Sequence, residues 1–183
     1  MAKLVVVGTS LGGLAALTTL LNALPKGFSA PVAIVQHRTK ATDDSLMRLL
    51  AAQSPVPVVE PDDKDPLEPG RIYLAPADYH LLIERESLAL STGVPRNFAR
   101  PSIDVLFESA ADAFGAEVTG VVLTGSNHDG AAGSRYIKAH GGRVMVEDPV
   151  SAHCGTMPAA AIAATSVDAV LPLAELCARL FAT

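Results

Sequence analysis

The sequence has no tryptophan and only two cysteines, and aromatic residues make up 4% of its 183 positions. Two thiols can neither staple a small secreted domain nor form a metal-ligand set of their own. Cys154 and Cys177, in Ala-rich apolar surroundings, read as reduced thiols. A basic excess is also missing: the net charge is -5 and the Lys and Arg residues are scattered, which argues against nucleic acid as a partner. No run of about 18 apolar residues occurs, and Met1 is followed almost at once by a strand-like segment without a charged n-region or a cleavage site. The expectation is a cytoplasmic protein with no direct membrane insertion.

What the chain does have is 49% hydrophobic residues, rich in Ala, Val and Leu, against 18% charged ones, which excludes disorder. Residues 1–183 fit a single domain. Leu4 to Gly8 is a β-branched apolar run followed by an Ala/Leu helix from Leu14 to Leu24, which Pro25 stops. Val32 to His37 repeats the strand, a helix is expected from Asp43 to Ala52 with Thr42 as N-cap, and Val56 to Glu60 is a short third strand. After the irregular stretch Pro61 to Gly70, three short runs at Arg71–Ala75, His80–Arg85 and Leu88–Ser91 read as a hairpin insertion at one sheet edge. Gly93 to Pro101 is a loop carrying Arg96 and Arg100, and Ser102 is placed to cap the helix marked by Val105, Leu106, Ala110 and Phe114. Strands at Val118–Leu123, Arg143–Glu147 and Val167–Leu171 then alternate with helices at Ala131–Ala139, Pro158–Ala164 and Leu173–Phe181. The alternation predicts an α/β fold, a doubly wound, mostly parallel, Rossmann-like sheet with helices on both faces and an edge β-hairpin.

The first strand runs into Gly8-Thr9-Ser10-Leu11-Gly12-Gly13. A dinucleotide loop would want glycine where Ser10 stands and an acid where the second strand ends at His37, and a P-loop would want a lysine that is absent. The stretch does match G-x-S-x-G, in which small neighbours let a serine stand exposed between strand and helix. A serine becomes a useful nucleophile only beside a base. His37 ends the neighbouring strand and Asp129 follows a third, inside Leu123-Thr124-Gly125-Ser126-Asn127-His128-Asp129-Gly130. Strand carboxyl ends are where open parallel sheets place functional groups. Each residue also has a plainer reading: His37 as a strand end facing solvent, Asp129 as a turn residue or an N-cap for the helix at Ala131.

Five stretches carry a resemblance that covers nearly the whole chain: V-G-T-S-L-G-G at 7–13, V-Q-H at 35–37, P-G-R-I-Y-L-A-P-A-D-Y-H at 69–80, R-P-S-I-D-V-L-F at 100–107 and L-T-G-S-N-H-D-G-A-A-G at 123–133. Together they resemble the catalytic domain of the chemotaxis protein-glutamate methylesterases, the CheB family. The resemblance implies a Ser-His-Asp triad at Ser10, His37 and Asp129, with no metal and no organic cofactor. It also implies hydrolysis of γ-glutamyl methyl esters on the cytoplasmic helices of methyl-accepting chemotaxis receptors, releasing methanol, and deamidation of receptor glutamines. Oxyanion donors are expected among the amides of Leu11 to Gly13 or Gly125 to Ser126.

The match is to the catalytic domain without the N-terminal receiver domain of typical members, so the chain is either a stand-alone member, with a separate response regulator or another control, or an excised domain. It departs from the family's usual pattern at Leu11, Ser126 and Asn127, the last commonly glycine, and in the R-T-K-A-T loop after His37. Two alternatives therefore stand beside hydrolysis of receptor esters: a catalytically weak receptor-binding or scaffold module, and a serine esterase or amidase with a non-receptor substrate. Arg96 and Arg100 are either contacts for an acidic receptor surface or ordinary loop charges. The stretch H-C-G-T-M-P at 153–158 is expected near the cleft, while His80, His128, His140 and His153 lack ligand spacing.

Overall fold

Successive side chains of a strand point to opposite faces, so a strand apolar at every position belongs in the middle of a sheet covered on both sides. In the computed structural model, which describes residues 3–39 and 45–182, strand β1 (Leu4–Thr9) is buried throughout. Leu4 and Val6 join one core cluster, and Val5 and Val7 join the other. The remaining strands of the main sheet are β2 (Val32–Gln36), β3 (Val58–Val59), β4 (Ile72–Leu74), β7 (Val118–Val122), β8 (Arg143–Glu147) and β9 (Ala169–Leu171). All pair in parallel, in the order β3-β4-β2-β1-β7-β8-β9.

Helices α1 (Gly13–Asn22), α2 (Ser45–Gln53) and α6 (Leu173–Leu180) cover one face through Leu17, Leu20, Leu21, Leu50 and Leu176. Helices α3 (Ile103–Phe114), α4 (Ala131–Ala139) and α5 (Thr156–Ala164) cover the other with Leu106, Phe107, Ile137 and Ala161. Each fully buried Leu or Phe contributes about 1.5–3 kcal/mol. The two helical layers thus hold the sheet firmly enough to position side chains at its rim.

The α/β fold with a doubly wound sheet agrees with the sequence, but the hairpin differs. Ile72–Leu74 is an internal strand of the main sheet, bonded to both β2 and β3. Only β5 (His80–Ile83) and β6 (Leu88–Ser91) form the hairpin, and they pair as a separate two-stranded sheet. Leu81, Ile83 and Leu88 bury into the same cluster as α3, so the hairpin packs onto that layer rather than extending the main sheet's edge. The expected cap Thr42 and helix start Asp43 lie outside the described residues. No helix among the described residues is long and apolar enough to cross a membrane.

From β1 the chain steps to β2 and then to the edge strand β3, inserts β4 between those two, and crosses to the far side of β1 to lay down β7, β8 and β9. The reversal falls between β1 and β7, and the crevice at the carboxyl ends of such a pair is where open α/β sheets bind ligands.

Candidate active site

Ser10 leaves the end of β1 in a tight turn, its N–H donating to Thr124 O at 2.9 Å and its carbonyl accepting Gly13 N–H at 2.9 Å. Gly12, at φ 83° and ψ -2°, has the conformation that the third residue of a type II turn requires. A Cβ on Gly12 would also lie 2.7 Å from the His153 ring, and one on Gly13 would lie 1.9 Å from Gln36 Oε1. The glycines are therefore set by backbone shape and by their neighbours together. Gln36 Nε2 donates to the Ser10 carbonyl at 3.0 Å and to the His37 carbonyl at 2.8 Å, tying the two functional backbones to one side chain.

His37 follows β2, its N–H bonded to Thr9 O at 3.0 Å. Its ring Nε2 lies 2.8 Å from Asp129 Oδ2, with 12% of the histidine side chain exposed and none of the aspartate's. Ser10 and His37 line one surface depression with Leu11, Leu14, Leu49 and His153. His37 also borders a second depression, formed with Arg38, Asp78, Asn127 and the loop 95–101. Among the described residues no hydrogen bond joins Ser10 Oγ to His37. The structure thus brings the three sequence-derived residues to one crevice, with His37–Asp129 in contact and Ser10 facing the same space.

Asp129 does not cap the helix that follows it. Its Oδ2 accepts Ile103 N–H at 2.7 Å, and its Oδ1 accepts Asp104 N–H at 3.1 Å and Ser102 Oγ–H at 2.9 Å. The carboxylate therefore sits on the amino end of α3, where free N–H groups and the helix dipole favour an anion. Ser102, expected to cap that helix with its own hydroxyl, holds the N-cap position but gives its hydroxyl to Asp129 instead. Burial opposes ionisation of Asp129, but the His37 ring and the Ile103 and Asp104 amides outweigh it and hold the carboxyl below its ordinary value.

The cap that α4 needs comes from Asp104, whose Oδ1 accepts Gly130 N–H at 2.9 Å and Gly133 N–H at 2.7 Å. Two aspartates thus exchange helices, each sealing the amino end of the helix beside the other. Asn97, in the left-handed region at φ 51°, bridges them through Nδ2, at 2.8 Å from Asp104 Oδ2 and 3.1 Å from Asp129 Oδ1. Burial and the neighbouring Asp129 charge raise the Asp104 carboxyl, despite the bonds from Gly133 and Asn97. Asn97, Asp104, Ser102 and Gln36 hold the candidate site residues in place, a role that sequence reasoning missed. Ser102 reads as a local cap because nothing in a linear pattern shows that its hydroxyl's partner lies 27 residues away.

The loop after β7 is fixed from below. Thr124 N–H donates to Glu147 Oε2 at 2.8 Å, and Gly125 N–H and Met157 N–H bond across to Cys154 O and Gly125 O at 3.0 Å each. The 153–158 stretch does lie at the cleft, with exposed His153 lining the Ser10 depression. Gly13 and Gly125 N–H are engaged in the fold. Of the amides proposed to face an oxyanion, those of Leu11, Gly12 and Ser126 have no acceptor among the described residues.

Arg96 forms a two-bonded pair with Glu108, Nη2 to Oε1 measuring 2.7 Å. Arg100 bonds Asp78 Oδ1 through Nε (2.9 Å) and Nη2 (2.7 Å), and the carbonyls of Thr92 and Gly93 through Nη1. Both arginines tether the loop from within. Cys154 and Cys177 are unpaired, and burial with the nearby Glu147 charge pushes the Cys177 thiol up to about 11, which leaves it inert. No group of three or more His, Cys, Asp or Glu among the described residues converges as a metal site would require.

This geometry coincides with a match to the CheB methylesterase family over residues 5–180. The chain belongs to the CheB methylesterase family. It is 44% identical over 178 residues to a Leptospira interrogans protein, provisionally named as a protein-glutamate methylesterase/protein-glutamine glutaminase, and spans 92% of it. It is 41% identical to the protein-glutamate methylesterase/protein-glutamine glutaminase of Nocardioides sp., of which it spans 48% while the match covers 95% of this chain. The crystal structure of the Thermotoga maritima CheB methylesterase catalytic domain superposes with a TM-score of 0.94 at 32% identity, covering 99% of this chain and 98% of that one.

Proposed function

We propose that residues 1–183 form one catalytic domain that hydrolyses γ-glutamyl methyl esters on the cytoplasmic helices of chemoreceptors, with glutamine deamidation as a second reaction of the same site. The observation that carries this reading is the pairing of His37 with the buried Asp129, in a chain of the CheB family, where His37 also lines the depression that Ser10 lines.

In this mechanism Ser10 Oγ attacks the ester carbonyl carbon while His37 Nδ1 takes the hydroxyl proton, and Asp129 holds the resulting imidazolium through Nε2. The intermediate collapses, the bond to the methoxy oxygen breaks, and His37 returns the proton so that methanol departs. Water then repeats the sequence on the acyl-serine, regenerating Ser10 and leaving a glutamate carboxylate. For a glutamine the group expelled in the first half is ammonia. The free N–H groups of Leu11, Gly12 and Ser126 are the donors suited to the oxyanion, one such donor being worth about 3 kcal/mol.

Exposed Leu11, Leu14 and Leu49 beside Ser10, and Phe98 beyond His37, give the crevice an apolar rim that suits a protein helix better than a small polar ester. The direct test is methanol release from methylated receptor membranes by wild type, Ser10→Ala and His37→Ala in parallel. Loss of about 10³-fold or more in both variants is expected. A Ser10→Ala protein that still works at the wild-type rate overturns the reading.

A further inference from the structure

The atom that must accept the Ser10 proton is His37 Nδ1, because Nε2 is held by Asp129. In the structure its one in-plane lone pair is already occupied: Asn127 Nδ2 lies 3.1 Å away. The neighbours fix which group donates. Asp129 as a carboxylate can only accept, so Nε2 carries the ring hydrogen and Nδ1 the lone pair. Asn127 Oδ1 accepts Asp129 N–H at 3.1 Å, which turns its NH₂ group toward the ring. A flipped amide would set oxygen against the Nδ1 lone pair and NH₂ against the Asp129 N–H, losing both bonds at once.

We propose that Asn127 is a brake on the base: in the resting enzyme it competes with Ser10 for His37 Nδ1, and hydrolysis proceeds only from molecules in which that contact has opened. The proposal rests on the Ser10–His37 reading of the site. Room for release exists, since Asn127 lines the depression with loop 95–101, a different one from that which Ser10 lines, and His37 borders both. A single bond between neutral groups is modest in water-accessible surroundings, so the brake slows the enzyme rather than silencing it. Asn127 never touches substrate in this scheme; it acts through His37 alone.

The decisive variant is Asn127→Ser, whose shorter hydroxyl can still accept Asp129 N–H two residues on but cannot reach the ring. Covalent labelling of Ser10 by a small fluorophosphonate reads nucleophile activation without any receptor. Asn127→Ser is expected to label roughly three- to tenfold faster than wild type, the range one neutral hydrogen bond supplies. Labelling at the wild-type rate or slower, with an unchanged melting temperature, overturns the brake. Ser10→Ala and His37→Ala label negligibly if the underlying reading holds, and a His37→Ala protein that labels normally sinks that reading instead. Nitrogen-15 NMR of the wild-type imidazole needs no variant: the brake demands the Nε2–H tautomer with Nδ1 accepting, and the Nδ1–H tautomer rules it out.

Discussion

Asp129 concentrates more of this site's energetics than either partner. Its two oxygens accept from Ile103, Asp104, Ser102, Asn97 and His37. Replacing one oxygen with NH₂ in Asp129→Asn sets donor against donor whichever way the amide turns. The variant is expected to lose about 10⁴ in kcat and roughly 2–3 kcal/mol of stability, by methanol release and urea unfolding. Because the folded Asp129 carboxyl is held below its ordinary 3.8, its contribution is complete above that pH and disappears as the pH falls through the lowered folded value. The stability gap between wild type and Asp129→Asn should therefore narrow as the pH falls below about 3.8. Gln36 makes a milder case: Gln36→Ala unties the Ser10 and His37 carbonyls, and kcat should fall about tenfold or more through misplacement with KM little changed.

At the scale of elements, the site depends on how closely α3 approaches the sheet. A Cβ on Gly8 would lie 2.3 Å from Ile103 Cγ2, so Gly8→Ala should push the helix's amino end outward, away from Asp129. A loss of about 1–3 kcal/mol on unfolding is expected, with a disproportionate loss of activity. Glu147, at the end of β8, carries a carboxyl that burial raises above 4.5, despite the Thr124 amide it accepts. The stability it contributes is complete below 4.5 and is lost as the pH rises through the folded value. Glu147→Gln keeps an acceptor for Thr124 without a charge, so its melting temperature should match wild type at pH 4 and exceed it at pH 8. Equal values at both would refute the assignment.

The elements themselves were largely legible, because uniformly apolar β-branched runs such as Leu4–Gly8 announce central strands. Ile72–Leu74 was misassigned to the hairpin since three-residue strands look alike in isolation and only sheet pairing separates them. Ser10, His37 and Asp129 were legible as strand-end residues. The cap exchange was not, because it joins side chains distant in sequence, and Asn127 stood out only as an unusual residue whose contact with His37 needed coordinates.

At the scale of the whole molecule, everything in the crevice hangs on loops anchored to a single sheet packed on both faces. Urea should remove far-UV ellipticity and Ser10 labelling at one midpoint, as a cooperative unit requires; labelling lost well before the sheet would show the crevice opening on its own. The apolar rim should govern recognition and not chemistry. Leu14→Ser with Phe98→Ser is expected to raise KM for methylated receptor about tenfold while leaving kcat and fluorophosphonate labelling unchanged.

The exchange of caps between Asp104 and Asp129 gives this site an unequal inheritance. Among the described residues the Ser10 hydroxyl makes no hydrogen bond, so a lineage that abandoned hydrolysis could replace it at little cost to the fold. Asp129 would have to stay, because removing it uncaps α3, whose first amides it accepts. An aspartate at this position in a descendant therefore testifies to ancestry and architecture, and on the proposed mechanism it is the serine that testifies to chemistry.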